Sequence, residues 1–460
     1  SAIASSRTGL AGQGVDTPGI SQIRDSFLDK CFRDEYATAS YHGQAASILD
    51  SIQNVLADGK DVTSSAGIQG AIEEIYKNLN DYIKEPTLDS GANIVMSAFK
   101  NMCQVLNQLD ERLNTVTRQQ TEDLGVNVTR TNDILEQIAH LNRKISEDAT
   151  ALANQNNEHF RANELLDQRN LLLDELAGYG DVQITQQSDG SVTVKMGGQT
   201  VVEGDRPGAM TMETTDDGLV AIRWRATGEH VKLTGGSLLA GLHYINGRGS
   251  NVQSSSESTQ QGIPYYRDRL NTFASALASV VNHTVPELDT ATGKPKTDAN
   301  GSIVYKTLLS TGDATGQTAV KASNIRISSE WTQGGAGYFI YSRNEDSENY
   351  AQMLAYTLTD KAHTFQSYGE SFSGSFSEYN TELLGKLGAD LKFQQGRQEA
   401  TAAVADDFLD RRDEVSGVSR DEETADMLRY QKSYEAAARL MTVLDEVLDV
   451  LINRMGRVGL

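Results

Sequence analysis

Proline is scarce in this chain. Six prolines in 460 residues argue against a loop-built architecture and suit long helices, because proline removes a backbone donor and breaks a helix interior. Cysteine is scarcer still. Cys31 and Cys103 both fall in helical pattern and read as small hydrophobes, not as a disulfide or a reactive thiol. Positive charge is in deficit: 41 Lys plus Arg against 63 Asp plus Glu leave a net charge of −22. That balance argues against a nucleic-acid partner, which needs a basic face, and against an anionic membrane surface. No apolar run reaches the ~18 residues of a bilayer span. There is no starting Met and no signal-peptide core near Ser1, so the chain is expected to be a fragment with something removed upstream.

Chemistry-bearing motifs are missing too. The seven histidines, His42, His140, His159, His230, His243, His283 and His363, form no zinc-type spacing. There is no Gly-x-Ser-x-Gly elbow. Gly334-Gly335-Ala336-Gly337 lacks the context of a nucleotide loop. Asp298-Ala299-Asn300-Gly301 lacks the closing Glu of a calcium loop and reads as a turn. Asp406, Asp407, Asp410, Asp413 and Glu414, mixed with Arg411 and Arg412, read as a solvated helix face with i,i+4 pairs. No cofactor, metal or catalytic residue is expected.

What is present is periodicity. Ile20, Ile23, Phe27 and Cys31 suggest one helix, and Ile48, Ile52 and Val55, with Gly59 as stop, a second short one. Residues 66–82 continue helically. A very long helix follows from about 91 to 148, with a stripe Phe99, Met102, Leu106, Leu109, Leu113 and Val116 in heptad order. The stripe meets Gln120, slips to Leu124, and resumes through Val128, Thr131, Leu135, Ile138, Leu141 and Ile145. Gly125 is where a bend is expected. Leu165 to Leu176 form another helix ending at Gly178.

Residues 181–236 alternate between apolar and polar with turn signals at Ser188-Asp189-Gly190, Gly197-Gly198 and Asp216-Asp217-Gly218. This predicts an antiparallel meander of five or six short strands. Pro264 opens a helix carrying Tyr266, Leu270, Phe273, Leu277 and Val280. Residues 286–345 are irregular, with strand-like pieces at 303–305, 325–328 and 338–341, and from about 346 helix dominates.

The tail is the most regular part. After a capping box at Ser419 and Glu422, Met427, Tyr430, Tyr434, Ala437, Met441, Leu444, Leu448, Leu451 and Met455 follow in alternating steps of three and four. A strict stripe of this kind is a coiled-coil seam and wants a partner. The expected fold is mainly α with a β appendage: a long-helix bundle body, an antiparallel β meander and a C-terminal coiled-coil-type helix. The expected division has a helical body in three parts (1–180, 237–285, 346–415). To it are added a β subdomain (181–236), an irregular or small β insertion (286–345) and the coiled-coil segment (416–460).

Several segments carry a family resemblance. Gly19-Ile20-Ser21-Gln22-Ile23-Arg24-Asp25-Ser26-Phe27-Leu28-Asp29 and Leu165-Leu166-Asp167-Gln168-Arg169-Asn170 are two of them. Phe376-Ser377-Glu378-Tyr379 and Gly385-Lys386-Leu387-Gly388 are weaker ones. The tail from Val415 to Glu423, with Met427-Leu428-Arg429-Tyr430-Gln431 and Ala436-Ala437-Ala438-Arg439, completes the set. In this order they resemble the flagellar hook-associated protein 1 family over residues 19–285 and 346–455. The family's N-terminal helix and Asn-rich turn are absent here.

The resemblance implies a structural subunit joining hook to filament, located outside the cell on the bacterial flagellum and exported through the flagellar type III apparatus. It implies as partners copies of itself, hook protein, the second hook–filament junction protein, and an export chaperone on the C-terminal seam. In the seam of Met427, Tyr430, Tyr434 and Met441, the methionines are adaptable and can serve two successive partners. Two alternatives stand beside it: another axial flagellar protein, such as the second junction protein or a hook subunit, and an enzyme domain carried on a flagellar scaffold.

Overall fold

The computed structural model describes residues 2–5, 9–12, 25–57, 67–85, 88–154, 163–215, 218–252, 257–289, 291–312, 318–339, 350–367, 369–416 and 420–453. A short antiparallel hairpin, β1 (Ala2–Ser5) with β2 (Gly9–Gly12), comes first. Helix α1 (Ser26–Leu56) starts at Asp25, whose Oδ1 accepts from the backbone N–H groups of Phe27 and Leu28. Ile20 and Ile23 lie outside the described residues. The two short helices expected around Cys31 and Ile48 are one helix of 31 residues. The stretch between them is rich in Ala and has no Pro, and its one glycine, Gly43, costs only about 1 kcal/mol against Ala while leaving room for the Gln398 side chain. The small Ala37, Ala39, Ala45 and Ala46 are buried where other helices pack closely.

Helix α2 (Gly67–Lys84) leads to α3 (Asp89–Asn154). At about 1.5 Å per residue, the 66 residues of α3 make a rod about 100 Å long. The helix runs unbroken through Gly125. A Cβ there would sit 3.2 Å from the Met212 methyl, so glycine gives room for a strand to approach. Helix α4 (Asn163–Tyr179) returns along its second half.

The β region is two sheets, not one meander. Strands β3 (Val182–Gln186), β4 (Val192–Met196), β5 (Gln199–Glu203) and β6 (Arg206–Pro207) form one antiparallel sheet in chain order. Strands β7 (Met210–Thr214) and β8 (Val220–Trp224) form a second. Pro207 ends the first sheet because it has no N–H to extend the ladder.

Helices α5 (Gly236–Ile245) and α6 (Ile263–Asn282) come next, with Pro264 in the first turn of α6. Residues 286–305 fold back on themselves through bridges Pro286–Tyr305, Leu288–Pro295 and Thr297–Ile303. Then follow β9 (Leu309–Ser310), β10 (Arg326–Ile327), α7 (Ser329–Tyr338) and α8 (Tyr350–Thr359). Tyr338 ends a helix, where alternation had suggested a strand at 338–341; residues 340 and 341 lie outside the described residues. The hairpin β11 (Thr364–Ser367) with β12 (Glu370–Ser373) interrupts the expected helical run. Phe365 stacks on Tyr379 with 4.2 Å between ring centroids, which seats the hairpin on α9 (Phe376–Ser416). The last element is α10 (Arg420–Asn453). Ten α-helices are thus present among the described residues.

Two main cores lie along α3. The first holds Phe99, Met102 and Leu106 of α3 with Ile48, Ile52, Ile75, Phe273, Trp331, Leu354 and Leu387. The second holds Leu124, Leu135 and Ile138 of α3 with Leu173, Val194, Val202, Ile222, Trp224 and Leu238. The strands therefore share a core with the far half of α3. Between Leu113 and Leu124, α3 buries Gln120, which accepts a hydrogen bond from Gln44 Nε2 at 3.3 Å.

Helix asparagines stitch non-helical backbone onto these cores. Asn132 exchanges both amide hydrogen bonds with Met210, at 2.9 and 2.8 Å. Asn246 does the same with Val220, at 2.7 and 2.9 Å. Asn282 Oδ1 accepts from the N–H groups of Leu308 and Leu309, and its Nδ2 donates to the Leu309 carbonyl. Each satisfies backbone groups that no ladder reaches.

Where α1 meets α5, Tyr41 Oη and His243 Nδ1 share a hydrogen bond of 2.9 Å. Burial holds the His243 imidazole below its ordinary range, and burial pushes the Tyr41 hydroxyl up to about 12. The unfolded chain, with His243 near pH ~6.5, binds the proton before the native chain does. Stability therefore rises with pH across that window and falls as pH drops through it. Melting temperature between pH 7 and 5.5 should fall less steeply in His243→Gln than in the parent. Equal slopes would show that His243 does not titrate on unfolding.

Candidate assembly interface

Helix α10 is built to be covered and is not covered. Its residues form a helix because the segment has no Pro or Gly between Arg420 and Asn453 and is rich in Ala, Leu, Glu and Arg. Met427, Tyr430, Tyr434 and Met441 are each more than three-fifths exposed, and Leu444 and Leu448 about half. Ala437 is exposed as well. These seven share one face. The side chain of Leu451 and the whole of Met455 lie outside the described residues, as does Ser419 of the expected capping box. Among the described residues no other helix packs extensively along α10.

A second apolar row escaped the heptad reading. Leu440, Val443 and Val447 are each at least half exposed. They repeat the step of three and four, displaced by one residue from Met441, Leu444 and Leu448. At about 100° per residue, the two rows together span about 160° of the helix surface. That is wider than the narrow seam of a two-stranded coiled coil. The signal was in the sequence, as a second three-four series beside the first. The opposite face is charged, with Lys432 to Glu435 at 3.0 Å.

The remaining candidates resolve into structural roles. Asp298 Oδ1 accepts from the N–H groups of Asn300 and Ser302, an ordinary turn. Gly335 takes φ +52° inside α7, a kink and not a phosphate loop. Cys103 is buried, which pushes its thiol up to about 12, and Cys31 is half-buried. On α9, Arg411 pairs with Asp407 in the surface manner expected. Arg412 does not: it turns inward to Asp29 and Asp174. A groove beside α8 is lined by His283, Pro286, Ile303, Tyr305, Tyr350 and Met353 among others, and His283 Nδ1 lies 2.7 Å from the Ser279 carbonyl oxygen of its own helix. Among the described residues no cluster of three metal-ligating side chains occurs, and no helix is long and apolar enough to cross a membrane.

The family model for the flagellar hook-associated protein FlgK helical domain matches residues 49–295, more than half of the chain. The chain belongs to the flagellar hook-associated protein 1 (FlgK) family. A second model, the C-terminal part of flagellar basal body rod FlgEFG proteins, matches residues 411–455 and so takes in α10. Flagellar hook-associated protein 1 of Bacillus subtilis is 24% identical over 467 residues, covering 97% of this chain and 87% of that protein. The Escherichia coli protein of the same name is 21% identical over 511 residues, covering 97% and 90%. A solved structure of the flagellar hook junction protein FlgK from Burkholderia pseudomallei is similar at TM-score 0.45 and 21% identity. It covers 63% of this chain and 47% of that one. The family is the hook–filament junction protein of the flagellum, a structural component that associates with other axial proteins.

Proposed function

We propose that this chain joins hook to filament through the apolar surface of α10, whose seam runs from Met427 to Leu448 and continues in sequence to Leu451 and Met455, and that the body behind it is a spacer and scaffold. The observation that carries this reading is the exposure of both apolar rows on α10. An uncovered stripe of that size costs about 25 cal/mol per Å² relative to a buried one, so it is built for a partner. The 160° width favours a bundle, with α10 facing two neighbours at once. Copies of this chain, hook protein and the second junction protein are the partners in the assembled state.

Before assembly an export chaperone covers the same seam, and its methionines suit successive partners because their side chains adapt. Export proceeds through the flagellar type III apparatus to the outside of the cell. Two unpaired cysteines suit threading of an unfolded chain. The body comprises residues 1–180, 237–285 and 346–415, with the β part at 181–236 and the insertion at 286–345. The chain works without catalysis or cofactor in this reading, with Asp298 serving a turn, Gly335 a kink and His243 a contact with Tyr41.

Electron microscopy of flagella tests the reading. Cells lacking this protein should carry hooks without filaments, and supplying the protein should restore them. Filaments attached normally in its absence would overturn the proposal.

A further inference from the structure

The last turns of α9 are held to the body by charge more than by apolar burial. Upstream, α9 buries Phe376, Tyr379, Leu383, Leu387 and Leu391. From Asp406 to Val415 no side chain of α9 is fully buried; Phe408, Leu409 and Arg412 are half-buried and the others exposed. At this end Arg412 Nη1 reaches Asp174 Oδ2 of α4 at 2.8 Å and Asp29 Oδ1 of α1 at 3.4 Å. Arg33 Nε of α1 takes the other Asp174 oxygen at 2.7 Å. The Arg412 guanidinium also lies over the Phe32 ring, 4.9 Å from its centroid. Two arginines and two aspartates, all at most 14% exposed, neutralise one another where α1, α4 and α9 meet. Four residues further on, at Ser416, α9 ends, and α10 begins at Arg420.

We propose that Asp29, Arg33, Asp174 and Arg412 form a clasp that fixes where the α10 stalk leaves the body, and that opening it frees the end of α9 as a hinge. A segment with few buried apolar contacts opens at lower free energy than the core behind it. Buried charges are strongly held as a complete set but leave an uncompensated partner when one is removed. Such a contact is nearly all-or-none, which suits a latch better than a gradual apolar seam. The clasp acts whatever α10 binds, so it does not depend on the partners proposed above.

The test uses the full chain and three variants. Arg412→Ala opens the clasp, Arg412→Lys keeps a charge without the fork that bridges two carboxylates, and Arg411→Ala removes only the neighbouring surface pair. Hydrogen exchange should speed at least tenfold over residues 406–416 in Arg412→Ala, by an intermediate factor in Arg412→Lys, and not at all in Arg411→Ala. Residues 376–404 should keep their parent rates in all three. Spin labels placed at Arg397 and Arg439 should show a broader distance distribution in Arg412→Ala alone. Unchanged exchange over 406–416 in Arg412→Ala would overturn the clasp. So would a uniform rise across α1, α4 and α9 with a lowered melting temperature, since that would make the cluster part of the core.

Discussion

Leu444→Glu together with Leu448→Glu should abolish junction assembly and chaperone binding while leaving the body folded. Both leucines lie on the exposed seam of α10, 48% and 51% accessible. In the isolated chain the two glutamates stay in water, where their helix propensity is close to that of leucine. In an assembled bundle they would be buried without partners, which costs several kcal/mol per carboxylate or forces it to protonate. Among the described residues no helix of the body packs extensively along α10, and distant sites are additive to within about 0.5 kcal/mol. Calorimetry should therefore give a melting transition for the body within about 1 °C of the parent, since a shift of 1 kcal/mol moves a domain of this size by only about 2–4 °C. Lys432→Glu, on the charged face, serves as the control and should assemble. A double variant that unfolds the whole chain would place α10 in the core. One that builds normal junctions in cells would show that the seam is not the contact surface.

The α10 seam was legible in the sequence because its signal is local: a strict three-four repeat read within one helix. The slip at Gln120 was legible for the same reason. A polar residue in an apolar stripe marked the place where α3 passes from one core to the other, and there Gln120 pairs with Gln44. The joining of two expected helices into α1 was not legible. Its middle has no apolar rhythm to read, and its alanines are buried only because α9 and α5 press on them. The hairpin at 364–373 was hidden because its anchor, Phe365 on Tyr379, is a tertiary contact. Arg412 looked like Arg411 in the sequence, yet its partners lie 383 and 238 residues away. Long-range pairing of polar groups is what pattern reading lacks, and the asparagine stitches belong to the same class.

The largest of those stitches gives the other strong expectation. Asn142 is fully buried on α3. Its Nδ2 donates to the carbonyls of Val192 and Gly204, at 2.8 and 2.9 Å. Its Oδ1 accepts from the Val192 N–H at 3.1 Å and from Arg169 Nη1 at 3.0 Å. Arg169 is itself buried, which lowers its pKa to about 10, and it also donates to the Gly190 carbonyl. Asn142→Leu keeps the volume but takes a partner from the buried Val192 N–H and carbonyl, from the half-buried Gly204 carbonyl and from Arg169 Nη1, which keeps only Gly190. At about 1–3 kcal/mol for each unsatisfied group, and with incomplete additivity, the loss should be about 3–5 kcal/mol, near the top of the range for single substitutions.

The loss should be confined to one core. The chain has two tryptophans, Trp331 in the first core and Trp224 in the second. With Trp331→Phe as background, Trp224 fluorescence reports the β-bearing core; with Trp224→Phe, Trp331 reports the other. Adding Asn142→Leu should move the denaturant midpoint read by Trp224 well down and leave that read by Trp331 in place. Midpoints that fall together would mean that α3 couples the two cores into one cooperative unit, so that burying Gln120 between them does not separate them.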